Sequence, residues 1–213
     1  CTVDSNTLRN SLTGANTNGT RRQGEAFWDI GVSDAIRNQY NRFTNNRVFQ
    51  HGNSHALEGC AYINFSEDGV FDGNVLQEPY SIGVQIGSFV RRYSIKRNDI
   101  IDAKGPGTGA GGATDFPFGI STTGDSTTDI EIAHNSISRR KTAADTVVGE
   151  VGINIGNFAT KSIRLFSNQF SNLVADWSFG ADISGITGDV ELTFTGTLTG
   201  LTTTPTGSVK YTR

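Results

Sequence analysis

The feature that most constrains the fold of this chain is a short motif, apolar-x-x-Asn-x-apolar, which occurs six times. Its asparagines are Asn6, Asn46, Asn74, Asn98, Asn135 and Asn168. The steps between successive asparagines are 40, 28, 24, 37 and 33 residues, so the unit that carries the motif varies in length. A motif that recurs in this way predicts a repeat architecture, in which each unit buries its apolar face against the next one.

A second marker, a glycine followed by short apolar alternation, precedes the last five motifs. The markers begin at Gly31, Gly59, Gly83, Gly119 and Gly152. From each glycine to its asparagine the distance is 15, 15, 15, 16 and 16 residues, whereas from each asparagine to the next glycine it is 25, 13, 9, 21 and 17. One part of the unit is therefore nearly constant, and the other varies as a surface turn can, because lengthening a turn costs little.

These spacings predict an all-β chain that forms a right-handed parallel β-helix of about six coils over residues 1–186. Each coil would contribute three short strands, and successive coils would stack about 4.8 Å apart through parallel pairing. We expect the asparagines to adopt the left-handed turn conformation and to hydrogen-bond to one another along the stack as a structural ladder. Alternation of side chains then predicts three inward columns. They are Val84, Ile120 and Ile153; Phe43, Phe71, Ile95, Ile132 and Leu165; and Leu8, Val48, Leu76, Ile100, Ile137 and Phe170.

The pattern changes after Asn168. The segment LVADWSFGADIS predicts a last half-coil, in which Trp177 and Phe179 close the end of the core. Residues 187–213 hold 10 threonines and alternate apolar with polar residues in DVELTFTGTLTG. This tail predicts the start of a separate small antiparallel β module.

Composition narrows the functional classes. Only 18% of the residues are charged, while the chain has 26 glycines, 17 asparagines and 25 threonines, which disfavours a helical bundle. The net charge of −3 argues against a nucleic-acid partner, and the lack of an 18-residue apolar run argues against membrane insertion. Cys1 and Cys60 are expected to be free or buried thiols, and His51, His55 and His134 are not spaced as a metal site, so no metal or other cofactor is expected. A chain that begins at Cys1, lacks Met and has no signal peptide is expected to be a segment of a longer one.

At this point a resemblance adds to the pattern. The Asn-marked coils resemble the pectate-lyase-like β-helix, and the tail TGTLTGLTTTPTGSVKYTR is similar to the start of the C-terminal module of bacteriophage tailspike depolymerases. The resemblance implies a homotrimeric protein of the virion tail, acting outside the cell, that binds and usually cleaves a bacterial surface polysaccharide such as capsule or O-antigen. It also implies a role for residues 187–213 in trimerisation or glycan binding. Because one fold can host many functions, the site has to be argued from its residues.

The resemblance places the usual binding groove along the Gly-marked strand. The outward positions predicted on that strand are Ser33, Ala61, Gln85, Ser121 and Asn154, all of them uncharged. Uncharged side chains speak against catalysis there but suit hydrogen bonds to sugar hydroxyls. Gln85 and Asn154 are therefore predicted to bind substrate.

The long turns are better candidates for chemistry, because glycoside hydrolysis needs two carboxylates and lyase chemistry needs a base beside a cation. Two turns of adjacent coils offer such groups. The predicted catalytic residues are Asp102, Asp115 and Glu150, and the predicted substrate-binding residues are Lys104, Arg139 and Arg140.

Several alternatives stay open at this point. The enzyme could be a hydrolase or a lyase, and its catalytic groups could lie upstream or between subunits. The chain could instead be a non-catalytic trimeric spike or adhesin, or a secreted non-viral lyase. Five outward apolar positions suit either scattered exposure or a trimer interface, namely Phe49, Val70, Val75, Ile101 and Phe166. Three aromatic residues near turns suit either stacking on sugar rings or core packing, namely Trp28, Tyr40 and Tyr80.

Overall fold

The computed structural model describes the chain in segments separated by gaps. The described residues are 1–9, 26–49, 59–79, 82–103, 118–122, 124, 126–138, 151–155, 161–171, 175–179, 190–194 and 209–212. Within these segments all regular secondary structure is β-strand, which confirms the all-β prediction for this part of the chain.

The strands are short and follow one another along the chain. The first six are β1 (Thr2–Asp4), β2 (Thr7–Arg9), β3 (Phe27–Ile30), β4 (Asn38–Gln39), β5 (Arg42–Thr44) and β6 (Arg47–Phe49). The next seven are β7 (Gly59–Asn64), β8 (Ser66–Glu67), β9 (Val70–Asp72), β10 (Val75–Gln77), β11 (Ile82–Ile86), β12 (Arg91–Lys96) and β13 (Asp99–Ile101). The last eight are β14 (Phe118–Thr122), β15 (Thr128–Ala133), β16 (Ser136–Ser138), β17 (Val151–Ile155), β18 (Lys161–Ser171), β19 (Ala175–Phe179), β20 (Val190–Phe194) and β21 (Val209–Thr212).

Every pairing between these strands is parallel, and each strand pairs with its counterpart from the next repeat. Sheet 1 runs β3-β7-β11-β14-β17-β19. Sheet 2 runs β1-β5-β9-β12-β15-β18-β20-β21, and sheet 3 runs β2-β6-β10-β13-β16-β18, so the long strand β18 joins the two. Parallel stacking of successive repeats in three ladders is consistent with a parallel β-helix.

The interior is built from the three predicted columns. In sheet 1, Val84, Ile120 and Ile153 are fully buried and lie opposite one another. The five residues predicted for sheet 2 are buried, and so are the four middle residues predicted for sheet 3. At the two ends of the sheet 3 column, Leu8 and Phe170 are partly buried and pack against the core. The inward alternation predicted from the sequence is therefore confirmed.

The six motif asparagines form the predicted ladder along the corner between sheets 2 and 3. Asn74 shows the pattern, because its backbone N–H and its Nδ2 both donate to Oδ1 of Asn98, at 2.9 and 3.0 Å. The Nδ2 of Asn74 also donates to the backbone oxygen of Phe43 at 2.9 Å. The same three bonds recur at Asn46, Asn98 and Asn135. Each buried amide side chain is thereby fully satisfied, as buried polar groups require.

The expected backbone conformation of the ladder asparagines is wrong. The left-handed residue is the one immediately before each asparagine, with φ between 52° and 66°. These residues are Ser5, Asn45, Gly73, Arg97, His134 and Ser167. The preceding residue makes the bend, and the asparagine after it stays outside the left-handed region, so that its backbone N–H and its side chain both point to the next repeat.

The antiparallel arrangement expected for residues 187–213 is also wrong for the two strands described there. β20 pairs with β18 in parallel, with Val190 opposite Ile163, and β21 pairs with β20 in parallel, with Val209 opposite Val190. Both strands thus continue sheet 2. A period of two indicates a strand but carries no information about the direction of its partner, which is why the sequence pattern misled.

A polar cluster interrupts the apolar interior in the second repeat. Asp29 of β3 is only 2% exposed, and it lies opposite Ile63 at an inward position. Its Oδ1 accepts bonds from Nδ2 of Asn38 at 3.2 Å and of Asn41 at 2.7 Å. Its Oδ2 accepts a bond from the hydroxyl of Tyr93 at 2.9 Å. All three partners donate, and this offsets part of the large cost of burying a carboxylate.

A glycine makes the bond between Tyr93 and Asp29 geometrically possible. Tyr93 belongs to β12, in the fourth repeat, whereas Asp29 belongs to the second. The tyrosine ring crosses the third repeat at Gly69, where an added Cβ would lie 2.1 Å from Cε2 of Tyr93. Because no side chain fits at Gly69, the ring can reach across one repeat and join three repeats through one side chain.

We expect the ladder to be a major source of stability. Asn98→Ala removes the acceptor of two donors of Asn74 and the donor to the Phe71 carbonyl. The free energy of unfolding should fall by roughly 3 kcal/mol or more, since each unsatisfied buried polar group costs about 1–3 kcal/mol. Urea denaturation followed by circular dichroism measures the loss. Asn6→Ala is the matched control, because Asn6 is exposed at one end of the ladder; equal losses in the two variants would contradict the prediction.

We expect Tyr93 to make stability depend on alkaline pH. Burial, together with the Asp29 carboxylate, raises the pKa of Tyr93 well above its ordinary value of 10.0. The unfolded chain therefore ionises this tyrosine first, so the stability present below about pH 10 is lost progressively as the pH rises toward the folded-state pKa. Tyr93→Phe should be less stable than the parent at neutral pH, and should lose less stability between pH ~9 and ~11. Tyr40→Phe, at an exposed tyrosine, is the control; identical pH slopes in the parent and in Tyr93→Phe would refute the claim.

Candidate functional site

Most residues predicted for chemistry from the long turns lie outside the described residues. These are Asp115, Glu150, Lys104, Arg139 and Arg140. Asp102 is described, and it follows β13 in the left-handed conformation with φ 56°. Its backbone N–H donates to the oxygen of Ser138 at 2.9 Å, and the residue is 7% exposed. Asp102 thus presents little surface to solvent, and the catalytic role of the three carboxylates stays a prediction.

The register of sheet 1 changes two of the five positions predicted to face outward. Ala61 lies opposite Val84, and both are fully buried, so Ala61 faces the core and the prediction for it is wrong. Gly59 pairs with Ile82, one residue away from the expected alignment with Gly83. A shift of one residue moves every side chain of a strand to the other face.

The prediction for Ser33 is wrong for a related reason. The sheet 1 strand of the second repeat is β3, which ends at Ile30, so the marker Gly31 follows this strand and does not begin it. Ser33 lies in the turn beyond, where it forms an antiparallel bridge with Ile36. Trp28 occupies the position that had been assigned to Ser33, because it lies opposite Tyr62.

The corrected positions form one continuous line of residues, which we call the outer column. Its members alternate with the buried column along each strand and lie opposite one another in successive repeats: Trp28, Tyr62, Gln85, Ser121 and Asn154. The register keeps Gln85 and Asn154 in this column, as predicted, and their role in binding remains a prediction. All five side chains are aromatic, amide or hydroxyl groups, and none carries a charge.

Exposure is uneven along the outer column. Trp28 is 50% exposed, Tyr62 and Asn154 are partly buried, and Gln85 and Ser121 are buried. The Nδ2 of Asn154 donates to Oγ of Ser121 at 3.1 Å, which links two repeats on this face. A ligand would therefore meet the column first at its aromatic end, in the second and third repeats.

The aromatic end is held firmly from the inside. Phe27, before Trp28, packs against Phe43 and Phe71 with ring centroids 5.3 and 5.6 Å apart. Asp29, after Trp28, is fixed by its three hydrogen bonds. Because both neighbours of Trp28 are anchored in the core, the indole is presented on a rigid strand, and this limits the entropy lost when a ligand binds.

A glycine also shapes the surface beside Tyr62. An added Cβ at Gly87 would lie 2.7 Å from Oδ1 of Asn64 and 3.1 Å from the hydroxyl of Tyr62. Asn64 is two residues after Tyr62, so it lies on the same face of β7. Gly87 therefore makes room for an amide and a phenol side by side, next to the outer column.

A separate charged cluster lies near the short strands β4 and β8, and its carboxylates are already engaged. Arg92 binds Asp68 through two bonds, of 2.7 and 2.8 Å, and also lies 3.3 Å from Glu67. Arg37 contacts Glu67 at 3.4 Å. The hydrogen bonds from Arg92 hold the pKa of Asp68 below its ordinary value of 3.8. A general acid needs a raised pKa, so Asp68 is unsuited to that role.

Two further findings concern ligands and membranes. Among the residues with described placement, His, Cys, Asp and Glu side chains do not gather in any group of three or more that could hold a metal ion. The same residues contain no helix that is long and apolar enough to cross a membrane. Cys1 is exposed and Cys60 is buried, and the two are not joined by a disulfide.

Comparisons of the chain with protein-family models, with curated proteins and with solved structures find no significant match.

We expect Arg92 to set the titration of Asp68. Arg92→Gln removes the hydrogen bonds and the positive charge, so the pKa of Asp68 should rise toward its ordinary value. Because the parent pKa is lowered, the pair contributes stability above about pH 4, which is lost as the pH falls through the folded-state pKa. Carboxyl NMR titration of Asp68 measures the change. Arg97→Gln, which breaks a different ion pair with Asp72, should leave Asp68 unaltered; an unchanged Asp68 titration in Arg92→Gln would contradict the assignment.

Proposed function

We propose that this chain is a segment of a bacteriophage tailspike that binds a bacterial surface polysaccharide during host attachment. In this proposal the stacked repeats form a right-handed parallel β-helix of about six coils, and three copies assemble on the virion tail. The observation that carries it is the outer column, in which uncharged aromatic, amide and hydroxyl side chains follow one another through five successive repeats.

The outer column supports glycan binding on chemical grounds. Amide and hydroxyl groups hydrogen-bond to sugar hydroxyls, and aromatic rings present an apolar surface with a polar edge, which suits the two sides of a sugar ring. Trp28, Tyr62 and Asn154 reach solvent on this rigid sheet face, whereas Gln85 and Ser121 between them are buried, so a glycan would contact the column at its ends and first at the aromatic one. Small-molecule sites in contrast are concave and enclosed.

The proposal extends to cleavage of the polysaccharide through the long turns. Asp102, Asp115 and Glu150 would supply acid and base, and Lys104, Arg139 and Arg140 would hold an anionic sugar. Whether the reaction is hydrolysis or elimination depends on which of these groups converge, and on whether a second subunit completes the site.

A specific observation favours a second candidate, a non-catalytic spike or adhesin. The outer column holds no carboxylate, and outside it Glu67, Asp68, Asp72 and Glu131 are each bound to an arginine or lysine. A surface with this chemistry can bind a glycan without cleaving it.

One experiment separates these functions. The full-length protein is incubated with capsule and lipopolysaccharide from a panel of bacteria, and binding is measured by co-sedimentation. Cleavage is measured by new reducing ends and by the absorbance of unsaturated sugars. The depolymerase proposal expects binding with cleavage; binding without cleavage would leave the adhesin, and the absence of binding to every glycan would overturn both. For the trimer, light scattering should give three times the chain mass, and a monomer mass would reject it.

A further inference from the structure

The kind of sugar that the outer column binds can be inferred further, and this inference rests on the proposed function. We propose that Trp28 and Tyr62 form a stacking subsite for two consecutive uncharged pyranose units, one on each ring, with the glycan running along the direction in which the repeats stack.

The spacing of the two aromatic residues is the first argument. Trp28 and Tyr62 are register partners in adjacent parallel strands, so their backbones are about 4.8 Å apart. One sugar unit with its glycosidic oxygen covers about the same length as this step. Consecutive units of a glycan that lies along the stack therefore meet consecutive repeats, one at Trp28 and the next at Tyr62.

The exposure of Trp28 is the second argument. Four large apolar or aromatic side chains stand out as exposed in the described part of the chain: Trp28, Val32, Ile36 and Tyr40. Val32 and Ile36 belong to a turn, and Tyr40 occupies a left-handed bend, whereas Trp28 alone of the four lies within a strand, on the face of a sheet. An indole left half exposed on a rigid, flat surface gains from covering by a ligand with an apolar face.

The charge of the surroundings selects the type of sugar. The other outward positions of β3, β7 and β11 are Ile30, Cys60, Asn64, Gly83 and Gln85, and none of them is an acidic or basic residue. A uronic acid stacked there would lose water from its carboxylate without gaining a cationic partner among these described residues, which is costly. A neutral unit needs only hydrogen-bonding groups, and Asn64 lies beside the Tyr62 hydroxyl over the space left by Gly87.

Sheet 2 shows by contrast what an ionic face of this protein looks like. There Glu131 joins Lys96 at 2.8 Å and Arg164 at 3.0 Å, and Arg97 pairs with Asp72. Charged residues are thus abundant on sheet 2, whereas the outward positions of β3, β7, β11, β14 and β17 in sheet 1 hold none; the last strand of sheet 1, β19, has Asp176 at an outward register position. This separation supports the assignment of the uncharged face to a neutral ligand.

The test uses the full-length protein and an array of purified bacterial oligosaccharides that includes neutral and uronate-containing members. Some glycans on the array are expected to bind the parent protein, and we call these the retained glycans. Trp28→Ala should weaken their binding by on the order of tenfold or more, and Trp28→Phe should keep part of the affinity because it keeps a ring. The retained glycans should contain at least two consecutive uncharged pyranose units. Tyr40→Asn is the matched control, since it removes an exposed aromatic residue away from sheet 1 and Asn tolerates the left-handed bend.

A second measurement locates the contact directly. Oxidation of Trp28 by N-bromosuccinimide, read by mass spectrometry of the tryptic peptides, should slow when a retained glycan is present. Equal denaturation midpoints for the parent and Trp28→Ala show that the variant is folded.

The outcomes separate this inference from the proposed function. Glycan binding that survives in Trp28→Ala, retention of glycans that lack two consecutive uncharged units, or unprotected Trp28 would overturn the subsite while leaving glycan binding in place. The absence of binding by the parent protein to every glycan would overturn the proposed function, and the subsite with it.

Discussion

The whole architecture depends on one hydrogen-bonding arrangement, in which the Oδ1 atom of each ladder asparagine accepts two bonds from the asparagine of the repeat before it. The arrangement fixes the axial spacing and the register between repeats, because an amide displaced by one residue would lose its hydrogen bonds to both neighbouring repeats. Once the register is fixed, the inward isoleucine, leucine and phenylalanine residues of successive repeats lie opposite one another and form the buried columns. Long turns between the strands can then vary from repeat to repeat, since the ladder and the core do not depend on them.

The second repeat departs from this regular plan, and the candidate surface lies beside the departure. At the inward position where the third and fourth repeats have Ile63 and Ile86, the second has Asp29, which requires donors from Asn38, Asn41 and Tyr93. This network anchors β3 more specifically than apolar packing would, because each bond has a direction and a partner. The anchored strand carries the indole that the proposed subsite needs, so a costly polar interior and an exposed aromatic surface occupy opposite faces of the same strand.

Much of the interior could be predicted from the sequence, because a period of two next to a constant Asn leaves few choices for Phe71, Ile95 or Leu76. The pattern could not supply backbone detail. It placed the left-handed bend on the asparagines, whereas the bend belongs to residues as different as Ser5, Arg97 and His134, which share no visible signal. It also placed Gly59 opposite Gly83. This error of one residue assigned Tyr62 to the inward face and Ala61 to the outward face, the reverse of what the register shows. The nearly constant Gly–Asn distance was misleading at Gly31. This glycine has nearly the same distance to its asparagine as the glycines of the other repeats, but it lies in the turn after β3 and not within the strand.

The ladder has a direction, so each asparagine depends differently on the repeat before it and on the repeat after it. The backbone N–H and one Nδ2 proton of each asparagine before the last are donated to Oδ1 of the asparagine on the C-terminal side. From the second asparagine onward, Nδ2 also donates to a backbone oxygen of the preceding repeat. Loss of one side chain strips two donors in the preceding repeat of their acceptor, whereas the following asparagine still receives a bond from the backbone that remains. Substitution of one ladder asparagine should therefore weaken its contact with the preceding repeat more than its contact with the following one.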